Sequence, residues 1–141
     1  MKLSTSKALF IAAAMTMPVM VYASNVPVPG LATDPLNECY EQIADAPRTA
    51  VQACLQSKLD RADEMMSKSL ADNETELKKI DSSATAQAIA SLKKSQDAFL
   101  AFRTSECQRQ GDALLGGSGI GDVMLACKVK LTYFRIEALS L

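Results

Sequence analysis

AVQACLQSKLDRADEMMSKSL, residues 50–70, decides the fold. Its apolar positions are Val51, Cys54, Leu55, Leu59, Ala62, Met66 and Leu70. They recur at steps of three and four, which places them on one face of an α-helix. The period-two alternation of a half-buried strand is missing. Most of the residues between are Gln, Lys, Asp, Arg, Glu and Ser, so the helix has one apolar stripe and a solvated remainder. Leu77 and Ile80 prolong the stripe beyond a polar interruption at Asp72-Asn73-Glu74, which predicts a kink or a loop there.

Outward from this segment the rest of the chain reads the same way. Asp45 precedes Pro47, a pattern that predicts an N-cap followed by a first-turn proline for the long helix. A short helix over residues 37–44 comes before it. Asp81-Ser82-Ser83 ends the long segment and caps the next helix. That third helix is predicted over residues 85–110, with Ile89, Leu92, Gln96, Phe99, Arg103 and Cys107 on one face. A glycine-rich loop spans residues 111–121 (GDALLGGSGIG). A last helix over residues 122–139 is expected to turn Val123, Met124, Cys127, Leu131, Phe134 and Ala138 inward. The fold class is therefore all-α, a small bundle of three to four helices. No internal repeat and no second domain stand out.

The N-terminus predicts export. Lys2 and Lys7 precede an apolar run, residues 8–21, and Val21-Tyr22-Ala23 fits a cleavage site. Residues 1–23 are read as a signal peptide and residues 24–36 (SNVPVPGLATDPL) as an extended leader. The apolar run is short for a membrane span and contains Pro18. No stable membrane insertion is expected after cleavage. No cysteine follows the expected cleavage site, so a lipid anchor is not expected either. The helical domain covers residues 37–141.

Charge and composition narrow the function classes. The full chain has 15 basic and 16 acidic residues. Without Lys2 and Lys7, 13 stand against 16, a net charge of −3. That balance gives no electrostatic footprint for nucleic acid. The chain has no histidine, the commonest general base and metal ligand. Glu41, Asp45, Asp60, Asp63 and Glu64 offer carboxylates, but acidic residues spread along helices are ordinarily solvated faces rather than a hydrolytic pair. Asp72-Asn73-Glu74 lacks the spacing and glycine of a calcium loop. No catalytic residue, metal site or cofactor is predicted.

The four cysteines are Cys39, Cys54, Cys107 and Cys127. Behind an export signal they read as disulfides. Four cysteines allow three pairings. The helix layout favours Cys39–Cys54 and Cys107–Cys127, because each then closes a single helix-turn-helix. The first pins the short helix onto the long one. The second pins the third helix to the fourth and encloses the glycine loop.

Three segments carry a resemblance. They are Ala53-Cys54-Leu55 through Arg61-Ala62-Asp63 to Leu70; residues 92–107, LKKSQDAFLAFRTSEC; and Gly116-Gly117-Ser118 followed by Cys127, Leu131-Thr132 and Arg135 to Leu139. Together the chain resembles the LprI-like lysozyme-inhibitor family of bacterial secreted proteins, over residues 39–139. Phe99 stands where that family usually has tryptophan, and Thr104 where an acidic residue often follows the arginine. The resemblance implies a periplasmic or secreted binding protein with no chemistry of its own, whose partner is a protein, a lysozyme-class hydrolase. The alternative is a non-inhibitory structural, immunity or stress-related envelope protein.

Two groups of residues are singled out as candidates. Leu114, Leu115, Gly116, Gly117, Ser118 and Ile120 form a loop that combines apolar side chains with conformational freedom and is closed at its base by a disulfide. They are the partner-binding candidates, against the plainer reading that the loop only reverses the chain. Arg103 lies one turn before Cys107 and Arg135 two turns after Cys127. With Asp63 they are read first as a structural ion-pair network that locks helices, and second as partner contacts.

Overall fold

The computed structural model describes residues 34–140, so the expected signal peptide and most of the expected leader lie outside the described residues. Four helices make up nearly all of this region, and no strand occurs among the described residues. They are α1 (Pro35–Ile43), α2 (Thr49–Lys79), α3 (Thr85–Asp112) and α4 (Ile120–Leu139). The all-α reading holds, with four helices in the order expected.

Local chemistry explains most boundaries and corrects several. The Asp34 side chain accepts a hydrogen bond from the Leu36 amide at 3.1 Å, and Pro35 occupies the first turn. Both fit a helix start, so α1 begins two residues earlier than predicted. Asp45 does not cap α2. That helix starts at Thr49 after Arg48, with no side-chain cap, because the chain first makes a tight turn in which the Ala46 amide reaches the Ile43 carbonyl at 2.7 Å. The predicted break at Asp72-Asn73-Glu74 is also absent. Lys68–Asp72 and Lys78–Glu74 pairs, one turn apart at 2.7 and 2.8 Å, carry the helix through it. Ser82 does help to start α3, its hydroxyl accepting from the Ala84 amide at 3.2 Å.

The predicted disulfides form. Cys39 joins Cys54, linking α1 to α2, and Cys107 joins Cys127, linking α3 to α4. The contacts along the helices fix their directions. Val51 and Leu55 of α2 pack with Ala126 of α4, and much further along Asn73 of α2 reaches the Leu139 carbonyl of α4. Helices α2 and α4 are therefore parallel. Helix α3 runs antiparallel to both, since Cys107 meets Cys127 and Gln96 meets Arg135. Helix α4 lies between α2 and α3 and makes most of the interhelical contact.

That central position overturns the predicted face of α4. The residues it buries are Ala126, Cys127, Val129, Thr132 and Leu139, while Phe134 and Ala138 are exposed. A helix with neighbours on two sides is apolar nearly all round, so its sequence gives no single stripe to read. In α2 the stripe is as predicted: Val51, Leu55, Leu59, Ala62 and Met66 are buried. Cys39, Val51, Leu55 and Ala126 form the core cluster, with Leu36, Ile43, Cys54 and Leu125 against it. Leu55 is wholly shielded from solvent, and burying such a side chain contributes roughly 2 kcal/mol.

Candidate functional site

Two features stand out: a turn region at one end of the bundle and a polar clamp across its middle. The turn region is shorter than the predicted loop. Gly111 belongs to α3 and is buried. A β-carbon there would come within 2.8 Å of the Met124 Cγ and 3.1 Å of the Ile120 Cγ2. Glycine thus lets the last turn of α3 press on the first turn of α4, next to the Cys107–Cys127 bridge. Ile120 lies in α4 and is half-buried against that glycine, so of the six binding candidates it is the one the structure draws into the packing.

Leu114, Leu115, Gly116, Gly117 and Ser118 form the exposed turn between α3 and α4. Hydrogen bonds from the Leu115 amide to the Asp112 carbonyl (3.0 Å) and from the Gly117 amide to the Leu114 carbonyl (2.9 Å) order it. Leu115 is 93% exposed and has φ +49°. A non-glycine residue in the left-handed region costs on the order of 1 kcal/mol. Leucine also has no side-chain hydrogen bond to offset it, as Asn or Asp would. Gly116 continues the turn at φ +84°, a geometry that favours glycine.

The polar clamp joins α2, α3 and α4. Arg103 of α3 donates to the Asp63 carboxylate of α2 and to the Thr132 hydroxyl of α4, the latter at 2.6 Å. The Thr132 hydroxyl in turn donates to the Lys128 carbonyl at 2.8 Å. Arg103 is largely shielded and Asp63 is partly open to solvent. The Arg103–Asp63 pair is the ion pair the sequence suggested. Arg135 differs from that reading, because among the described residues its partners are not carboxylates. Its Nε donates to the Gln96 amide oxygen at 3.0 Å and its Nη2 to the Ser95 hydroxyl at 3.1 Å. The Phe99 ring lies near both guanidinium groups, 5.9 Å from that of Arg103 and 5.7 Å from that of Arg135, within the range of cation–π attraction.

Sequence reasoning missed Thr132 and Ser95 in this clamp. Among the described residues Thr132 is one of two buried polar ones, with Gln96. Both are hydrogen-bonded, as buried polar groups must be. The signal that would have found Thr132 is a threonine inside an otherwise apolar helical run.

Two carboxylates elsewhere are perturbed. Hydrogen bonds from Arg109 and then Gln110 hold Glu106 at a pKa of about 2. Lys78 and then Lys93 lower Glu74, so that this residue ties α2 to α3. Both carboxylates are partly shielded and pair with exposed cations on the helix surface, and neither lies in a cleft that would suggest acid–base chemistry. Among the described residues no cluster of three or more Cys, Asp or Glu is arranged to hold a metal, and no helix is long and apolar enough to cross a membrane.

The family model described as Lysozyme inhibitor LprI matches residues 35–139, which is the whole helical region. No curated protein and no solved structure matches the chain.

Proposed function

The chain belongs to the LprI family of lysozyme inhibitors, and from that premise we propose that it is an exported binding module that occludes a lysozyme-class muramidase with the turn between α3 and α4. The observation that carries this reading is Leu115. It is an almost fully exposed leucine held in a strained backbone conformation at the tip of a turn. Strain of that kind persists where something other than stability keeps the residue. The Cys107–Cys127 bridge at the base of the turn limits the freedom lost on docking, which favours affinity. Burying one leucine in a partner is worth roughly 2 kcal/mol, a factor of about 30 in Kd.

The test is a muramidase assay with the oxidised protein, beside its Leu115→Asn variant. Asparagine tolerates the left-handed conformation, so the variant keeps the turn and removes the apolar anchor. Inhibition by the wild-type protein and a drop of at least about tenfold in the variant are expected, with thermal stability unchanged. Full activity of several lysozyme types at micromolar excess of wild-type protein would refute the inhibitory reading. Wild-type potency in the variant would remove the turn from it.

A further inference from the structure

The parallel arrangement of α2 and α4 has a consequence for the interface. The turn between α1 and α2 leads into the start of α2, and the turn between α3 and α4 leads into the start of α4. Parallel neighbours place both starts at the same end of the bundle. The packing agrees: a β-carbon at Gly121 would lie 3.5 Å from the Gln52 Nε2, and Ala126 packs with Val51 and Leu55. Each turn is closed by its own disulfide, Cys39–Cys54 or Cys107–Cys127. The end of α1, beside the first of these turns, also exposes a residue type that anchors protein interfaces. Tyr40 is exposed, and its hydroxyl accepts a hydrogen bond from Arg48 at 3.2 Å.

Charge distribution identifies the kind of partner. Around the two turns lie Glu41, Asp45, Asp112 and Asp122, against Arg48 alone, while Arg109 is held by Glu106. Those five unequal charges come to −3, and the remaining charges of residues 34–140 balance. The whole charge excess of the domain therefore lies at the end that carries Leu115. Complementary potentials steer and select partners, so this end suits a cationic protein surface.

We infer that the binding edge is composite: the end of α1 and the turn that follows it, through Tyr40 and Asp45 respectively, contact a cationic rim of the same muramidase that takes Leu115. This rests on the inhibitory reading above. The test compares three variants by calorimetric titration against a basic lysozyme at physiological salt, with melting temperature measured in parallel. Asp45→Lys, in the first turn, and Tyr40→Ala, near the end of α1 beside it, are the first-turn variants. Asp81→Lys makes the same charge change in the α2–α3 connection at the opposite end. Each first-turn variant should weaken binding by about tenfold or more, while Asp81→Lys changes it less than about threefold. Unchanged affinity in both first-turn variants, with binding lost in Leu115→Asn, overturns the composite edge and leaves the inhibitory reading intact. Equal weakening by Asp45→Lys and Asp81→Lys overturns it as well, since net charge alone then explains the effect. Absence of binding by the wild-type protein sinks both.

Discussion

The turn end and the middle of this bundle are held together by different physics. At the turn end the contacts are apolar and covalent: Val51, Leu55, Cys39 and Ala126 form the core, and both disulfides sit beside it. Across the middle the buried residues include Gln96 and Thr132, and Arg103 of α3 reaches both α2 and α4 through one guanidinium group. A domain of this size has little apolar surface to bury. Cross-links at one end and a directional polar clamp across the middle make up for it. The difference shows where freedom is tolerated. The strained, exposed turn occurs where covalent bonds hold its base, and the polar clamp fixes the same two helices, together with α2, further from the turn.

The comparison breaks most sharply if the bridges are removed. Chain-entropy arguments give about 3 kcal/mol for a loop of this length, so Cys107→Ala/Cys127→Ala and Cys39→Ala/Cys54→Ala should each lose about that much in urea unfolding. A loss below about 1 kcal/mol from both pairs would mean that the apolar cluster alone secures the turn end. Across the middle, Arg103→Ala leaves Thr132 and Asp63 without their shared donor. A fully buried pair would cost 3–5 kcal/mol. Asp63 is 39% exposed, so water takes part of the lost role, and a loss of about 2 kcal/mol is expected. Arg103→Ala with unaltered stability and impaired inhibition would turn the clamp into a partner contact.

The smallest effect concerns Glu106. Its folded pKa is about 2, depressed from 4.5 by Arg109 and Gln110. A depressed carboxylate contributes stability above its unfolded pKa, and that contribution fades as pH falls from about 4.5 to about 2. Its partner Arg109 is open to solvent, which screens the pair, so the contribution is minor. An acid titration of Glu106→Gln should show a slightly shallower stability loss over this window than the wild-type protein does. An identical pair of curves would mean that the Glu106–Arg109 pair is present without stabilising α3.

How much of this was legible depended on how many neighbours each helix has. Helix α2 shows one face to the core, and the run from Val51 to Met66 announced it. Helix α4 is enclosed on two sides, so Phe134 and Ala138 looked inward when they are not. Pairing of the cysteines followed from helix order alone. The boundaries were harder. Asp45 has the chemistry of a cap, but the turn ending at Arg48 intervenes. Asn73 has the chemistry of a helix breaker, yet its amide donates to the Ser69 carbonyl within α2 and to the Leu139 carbonyl of α4. In the candidate turn, composition picked out Leu114 to Ser118, whereas the strain at Leu115 is a backbone property that no residue type declares. Arg103 and Asp63, 40 positions apart, met as suggested. The role of Thr132 needed the register of α4 against α3, which no local pattern encodes.

Both bridges close within one half of the chain, and neither crosses the connection at residues 80–84. The molecule is thus two covalently closed hairpins, α1–α2 and α3–α4, whose mutual hold beyond that connection is non-covalent. A protease cut in that connection would release two fragments able to reassemble, each with its own turn already formed. Two copies that trade residues 85–140 would likewise satisfy every contact made within one. The position of the cross-links therefore makes this small domain a natural subject for fragment complementation, with recovery of inhibition as the readout.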